Sequence, residues 1–283
     1  MKKVLITGGE GQLGQSIRSL TNNYTGYEFI FLGSKDLNIT SRVLVIDFFK
    51  QHEIDYCINC AAYTAVDKAE ENPEFANKIN VEGVENLALA CKTYNVTLLH
   101  ISTDFVFDGL SNLPYTEKNI TNPLSVYGQT KLDGELIISK TLSNYYIFRT
   151  SWLYSEFENN FVKTMLKLGK IKDKLTIISD QIGTPTYAVD LAKVLLDTID
   201  SDKHNYGCYH YSNQGVASWY DFAKAIFDIK NISIRVEPIP TTSYPTPAKR
   251  PTFSVLSKEK ITNSLVVNIP YWRDSLKRCL NNL

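Results

Sequence analysis

Apolar stretches of two kinds alternate along the first half of the chain. Runs in which nearly every position is apolar or β-branched predict strands at Lys3–Thr7, Tyr27–Leu32, Cys57–Ala61, Thr97–Ser102 and Tyr145–Arg149. Between them, apolar residues return at helical spacing. Leu13, Ile17 and Leu20 follow the first strand, and Val43, Leu44, Ile46, Phe48 and Phe49 follow a Thr40–Ser41 cap. Asn72-Pro73 opens a long amphipathic helix through Ile79, Val81, Leu87 and Ala90 that ends near Asn95. Strands that are apolar throughout belong to a parallel sheet with helices on both faces. The pattern therefore predicts a doubly wound α/β arrangement, with ligands beyond the carboxyl ends of its strands.

The second half is less regular. Strands are predicted at Thr176–Ile178 and Tyr206–Tyr211, and helices at Ala188–Ile199 and Ser218–Phe227. Half of the 10 prolines crowd between Pro238 and Pro251, a density that excludes a helix or a central strand. Two units are expected: residues 1–150 as a dinucleotide-binding domain and 151–283 mainly as a smaller α+β substrate domain, with about 174–200 returning to the first.

Composition narrows the field. The 283 residues are 43% hydrophobic and 21% charged, ordinary values for a globular chain with a sizeable core. Thirty basic against thirty acidic side chains leave no net charge, so a nucleic-acid partner is not expected. No apolar run approaches the ~20 residues that cross a bilayer. The apolar stretch before Gly8 and Gly9 is too short for a secretory signal, so a cytoplasmic protein with no membrane partner is expected. Five cysteines (Cys57, Cys60, Cys91, Cys208, Cys279) are not a disulfide framework. Cys57 and Cys60 form C-x-x-C, but residues three apart on a strand face opposite ways, so both read as core thiols.

Gly8-Gly9-Glu10-Gly11-Gln12-Leu13-Gly14 lies between the first strand and the first helix and reads as G-x-x-G-x-x-G or G-x-G-x-x-G. Glycines there permit a tight turn, close approach of backbone to a pyrophosphate and close helix–strand packing, while free amides at the helix start attract the anion. The expected cofactor is NADPH or NADH on a Rossmann-like sheet. The acid that usually holds the adenosine ribose is missing from the end of the second strand, where Leu32-Gly33-Ser34-Lys35 stand and Asp36 comes later. Ser34 and Lys35 suit a 2′-phosphate equally, so the choice between the two cofactors stays open.

Tyr127 and Lys131 form Y-x-x-x-K after Pro123, which places them on one face of a helix. An ammonium beside a phenol favours the phenolate and lowers a pKa of ~10 toward neutrality, which suits proton exchange with a substrate oxygen. The fourth strand ends in His100-Ile101-Ser102-Thr103-Asp104, bringing hydroxyls to the edge where a parallel sheet binds ligand. Ser102 or Thr103 can bond a carbonyl oxygen, and strand alternation lets only one point inward. Glycine turn, strand-end hydroxyl, then Tyr and Lys is the order found in the short-chain dehydrogenase/reductase superfamily, which this chain resembles.

Longer segments sharpen the likeness. Asn59-Cys60-Ala61-Ala62-Tyr63-Thr64-Ala65-Val66-Asp67-Lys68-Ala69-Glu70 and Ser102-Thr103-Asp104-Phe105-Val106-Phe107-Asp108-Gly109 are similar to motifs of the dTDP-4-dehydrorhamnose reductases. Tyr127 to Glu135, Arg149 to Tyr154, Asp180 to Thr186 and Arg250-Pro251 carry the resemblance nearly to the end. It implies reduction of the C4 ketone of a dTDP-sugar by a nicotinamide cofactor. Tyr127 would be the proton donor, Lys131 its helper and a ribose ligand, and Thr103 the residue that orients the ketone. Gly8, Gly11, Gln12, Leu13 and Gly14 match the pyrophosphate turn, Asn38 and Ile39 the adenine side, and Ala62, Tyr63 and Thr64 the loop along the cofactor. Thr103, Asp104, Trp152 and Arg250 match substrate contacts, and Arg250 with Lys249 suits a diphosphate.

No metal site is read from the histidines (His52, His100, His204, His210), which lack ligand spacing, and Glu70, Glu71 and Glu74 read as a solvated helix face. A homodimer is an assembly this reading allows. Another nucleotide-sugar reductase or epimerase of the superfamily, or a non-catalytic dinucleotide-binding subunit, are the competing readings. Cys60 stands where the family usually has alanine, and Gly33 where some members have the ribose acid.

Overall fold

A computed structural model describes residues 1–201, 203–265 and 267–283. β1 (Lys2–Thr7) leads through the glycine turn into α1 (Gln12–Arg18), then β2 (Tyr27–Leu32), α2 (Arg42–Gln51) and β3 (Tyr56–Asn59). α3 (Val66–Glu71) precedes the expected long helix, which runs from α4 (Pro73–Asn77) through a π-helical turn over 78–82 into α5 (Gly83–Tyr94) and stops at Asn95 in the left-handed region, φ +55°. β4 (Thr97–Thr103), α6 (Val126–Thr141) and β5 (Tyr145–Thr150) complete the first half. The second half runs β6 (Leu153–Tyr154), α7 (Phe161–Gly169), β7 (Lys174–Ile178), β8 (Ile182–Gly183), β9 (Thr186–Tyr187), α8 (Ala188–Asp200) and β10 (Gly207–His210). β11 (Ala217–Ser218), α9 (Trp219–Ile229), β12 (Arg235–Ile239), α10 (Glu259–Leu265) and α11 (Trp272–Asn281) follow.

Six strands form one parallel sheet in the order β10-β5-β4-β3-β1-β2. Along β1, Val4 and Ile6 enter one apolar layer with α1 and α8, while Leu5 enters the other with α2, α5 and α6. The sheet is buried on both faces, as its uninterrupted apolar strands require. Cys57 belongs to the second layer and Cys60 packs against the first, and all five thiols are free. β1 pairs with β2 on one side and, once the chain has crossed back from β2, with β3 on the other. The carboxyl ends of β1 and β3 therefore flank the crevice where such sheets take ligands.

The smaller lobe has its own core, in which Phe222, Phe227 and Trp272 meet Tyr154, Val162 and Met165. Two segments differ from the expected division. Lys174–Ile178 stays in the small lobe, where β7 pairs with β12, and Gly207–His210 returns to the large sheet beside β5. Side-chain burial explains both, because Tyr209 and Tyr211 enter the large core while Ile177 enters the small one. Pro238 sits in β12, one strand of a two-stranded sheet, where its missing N–H breaks no central ladder. Among the described residues, no helix is long and apolar enough to cross a membrane.

Candidate active site

A cleft of about 650 Å³ opens at the carboxyl edge of the large sheet. Gly8, Gly11, Gln12 and Leu13 line one end, Ala62 and Thr64 the side, and Thr103, Asp104, Tyr127, Lys131, Trp152 and Arg250 the remainder. The turn needs its glycines. Gly8 has φ +64°, and a Cβ there would come within 2.7 Å of Ala61 N. A Cβ on Gly14 would meet Gly8 O and Gly9 at 2.6 Å, so Gly14 serves the packing of α1 on β1 and does not line the cleft. Gly11 caps α1 without a side-chain acceptor, which leaves first-turn amides for an anion. Gln12 ties the turn to the small lobe by bonding Leu153 O at 3.2 Å and Asn160 Nδ2 at 2.8 Å. The cradle fits a dinucleotide.

Besides Gly14, three of the expected cofactor residues are not brought to the cleft wall. Asn38 is exposed and accepts from Thr40, Ile39 is buried against Gly83, and Tyr63 packs edge-on to Phe75. Tyr63 matters through its backbone: its N–H donates to Asn80 Oδ1 and its carbonyl accepts from Asn80 Nδ2. Asn80 lies in the π-helical turn, and its amide also reaches Thr130 on α6, so one buried side chain holds the 62–64 loop against the Tyr–Lys helix.

Ser125 caps α6, its Oγ accepting from Gly128 N at 3.1 Å. Glu70 does not simply face solvent, as the sequence suggested, because its carboxylate accepts from Val126 N at 2.8 Å and adds charge at the helix start. Glu71 and Glu74 are exposed. Of the two strand-end hydroxyls, Ser102 bonds Glu135 behind the sheet edge and Thr103 stands beside Tyr127.

The Tyr127 phenol corrects the sequence expectation. Burial pushes it up to about 12, against the pull of the Thr103 hydroxyl and with the push of the Asp104 carboxylate. Burial draws the neighbouring Lys131 down to about 8, and its Nζ lies 3.2 Å from His100 Nε2. In the free cleft Tyr127 is thus a protonated phenol, the form an acid needs.

Asp104 is 2% exposed and its Oδ2 has no hydrogen-bond partner among the described residues. Burial pushes its carboxyl up to about 6, opposed by the Ser254 and Thr103 hydroxyls. A carboxyl raised in the folded state contributes stability that is present below its ordinary pKa and lost as pH rises through about 6. Asp104→Asn is therefore expected to stabilise the fold at pH 7.5 by ~1–3 kcal/mol, with the gap narrowing toward pH 5. Thermal melts of both proteins across that range check it.

A second cavity of about 740 Å³ shares Phe105, Trp152, Trp219 and Arg250 with the first and reaches between the lobes to the proline-rich loop. Trp152 adopts φ +46°, a conformation that costs a non-glycine residue ~1–3 kcal/mol and is found where function fixes a side chain. Its indole stacks on Trp219 with centroids 3.7 Å apart, and Gly183 leaves room for the ring edge. Arg250 makes a bidentate pair with Asp67 at 3.1 and 2.7 Å, joining the proline-rich loop to α3. Asp67, Asn80, Glu135 and Trp219 were not singled out from the sequence. Only Glu135 carried a local signal, standing one further helical turn beyond Tyr127 and Lys131. Among the described residues, no cluster of His, Cys, Asp or Glu suits a metal ion.

The chain matches the sequence model of one family, described as RmlD substrate binding domain, over residues 1–283. It is 41% identical to the dTDP-4-dehydrorhamnose reductase of Aggregatibacter actinomycetemcomitans over 98% of each chain. It is 39% identical to the spore coat polysaccharide biosynthesis protein SpsK of Bacillus subtilis, covering 99% of this chain and 97% of that one. Among solved structures, a Clostridium acetobutylicum dTDP-4-dehydrorhamnose reductase superposes with TM-score 0.94 at 45% identity, over 99% of each chain. The Bacillus anthracis enzyme, in complex with NADP, superposes with TM-score 0.96 at 37% identity over 100% of each. A UDP-glucose 4-epimerase of Thermotoga maritima, 18% identical with TM-score 0.84, shares the fold.

Proposed function

Since the chain belongs to the dTDP-4-dehydrorhamnose reductase family and is an NAD(P)H-dependent oxidoreductase, we propose that it reduces the C4 ketone of dTDP-4-dehydro-L-rhamnose to dTDP-L-rhamnose. The observation that carries the reading is one continuous cleft. It runs from the glycine turn, past Thr103, Tyr127 and Lys131, into a cavity lined by aromatic rings and an arginine. In this reading the large sheet is the dinucleotide lobe and the helices around β7 and β12 form the sugar-nucleotide lobe.

Bound along the turn, the nicotinamide cofactor supplies the hydride. Tyr127, protonated at neutral pH, donates its proton to O4 as the carbonyl becomes an alcohol. Thr103 orients the ketone by bonding the same oxygen, and Lys131 holds the ribose hydroxyls. Trp152, backed by Trp219, offers an aromatic wall to base or sugar. Arg250 faces the diphosphate and exchanges the Asp67 carboxylate for it.

The test is disappearance of NAD(P)H absorbance on addition of dTDP-4-dehydro-L-rhamnose to purified protein. Turnover confined to a GDP- or UDP-linked keto sugar would replace the proposed substrate. Arg250→Ala is expected to raise KM for the dTDP-sugar ~10- to 100-fold with kcat nearly unchanged, the scale of a lost charge-assisted contact. Initial-rate kinetics decide it.

A further inference from the structure

The sequence leaves open how the chain meets the adenosine ribose. Gly33 stands where dinucleotide sheets usually carry an acid at the end of the second strand. The structure shows what fills that place. A Cβ built on Gly33 would lie 3.4 Å from Glu10 Cγ and Cδ and 3.4 Å from Asp36 Oδ2. Two acidic side chains therefore converge where one is missing, and both come from outside β2.

They are not equivalent. Asp36 Oδ2 accepts from Gly33 N–H at 2.9 Å, while Gly33 O accepts from Asp36 N at 3.1 Å and Leu37 N at 3.0 Å. That carboxylate closes the turn after β2 and is occupied in doing so. Glu10 arrives from the glycine turn. Gly9 N–H donates to Leu32 O at 2.9 Å, which pins the turn to the strand end and brings the next residues, Glu10 and Gly33, side by side. Gln15 Nε2 holds Glu10 further by donating to its carbonyl at 2.6 Å. Among the described residues, neither a hydrogen bond nor an ion pair engages the Glu10 carboxylate, and the residue is exposed.

We propose that Glu10 selects the cofactor: its carboxylate replaces the missing acid, accepts from the adenosine ribose hydroxyls of NADH and turns away a ribose that carries a 2′-phosphate. A carboxylate has two acceptor oxygens and no donor, which suits a pair of hydroxyls. A phosphate monoester near neutrality is itself an acceptor with ~1.5–2 negative charges, so it meets the carboxylate with repulsion and no bond. Asp36 adds negative charge at the same place. Of the neighbouring cations, Arg18 lays its guanidinium over the Phe31 ring, 4.1 Å from the centroid, and Lys35 is exposed. The inference rests on the use of a nicotinamide dinucleotide and is independent of which sugar is reduced.

The test is direct binding and needs no turnover. Calorimetric titration of the free protein at low ionic strength is expected to give a Kd for NADH at least ~10-fold below that for NADPH, the scale of one like-charge contact. Glu10→Gln, an isosteric change at an exposed position, is expected to tighten NADPH ~10-fold and to weaken NADH ~3- to 10-fold, so that the preference closes. NADPH bound as tightly as NADH by the unsubstituted protein, or a preference that Glu10→Gln leaves unmoved, overturns the proposal. Failure of both dinucleotides to bind removes the dinucleotide reading along with it, and is thereby told apart from a wrong assignment of Glu10.

Discussion

Tyr127→Phe is expected to lower kcat by ~10²- to 10⁴-fold while dTDP binds with nearly unchanged affinity, the signature of a lost general acid. The phenol is the group in the cleft that is protonated at neutral pH and stands beside a strand-end hydroxyl. Burial that pushes it up to about 12 keeps it loaded with a proton through the physiological range, which suits a reduction that must protonate an alkoxide. Phe keeps the ring, and with it the edge-to-face contact with Phe105 at 5.6 Å, so the cleft wall survives. Rapid-mixing kinetics beside calorimetric titration with dTDP separate chemistry from binding. Unaltered turnover would remove the phenol from the reaction.

Glu135→Ala is expected to cost ~3–5 kcal/mol of stability, because it leaves the Arg149 guanidinium charged and unpaired in the core. Arg149 Nη2 lies 2.6 Å from Glu135 Oε2 and its Nε 3.0 Å from Oε1, with both side chains at most 7% exposed. Ser102 bonds the same carboxylate, so three elements (β4, β5 and α6) lose a shared acceptor. Chemical denaturation measures the loss. Replacing both partners with apolar residues of similar size should recover much of it, since the cost lies in the stranded charge and less in the missing attraction.

What the sequence made legible is local. The strand, glycine turn and helix at 2–18 are contiguous, so the pyrophosphate cradle could be read from spacing. Tyr127 and Lys131 are one helical turn apart and could be read the same way. The groups that set the behaviour of that pair come from far along the chain. His100 looked like a core residue of a buried strand, which it is, but its Nε2 meets Lys131 across 31 residues of sequence. Asn80 fixes the 62–64 loop from a π-helical turn that helical periodicity does not signal. Trp219 backs Trp152 from another element of the small lobe, and no spacing rule links the two. The direction of the Tyr127 shift was misjudged for the same reason. Adjacency on a helix promised an ammonium's pull, while depth of burial, a property of the whole fold, decided the outcome.

The return of α8 and β10 to the large sheet has a consequence for synthesis. Val4, Ile6 and Phe148 share one apolar layer with Leu191, Leu195 and Tyr209. A nascent chain that has left the ribosome only as far as residue 150 therefore lacks the cover for half of its sheet. Its first strands must wait, greasy side outward, until some sixty more residues emerge. The larger lobe therefore cannot mature before the first segments beyond residue 150 have been translated.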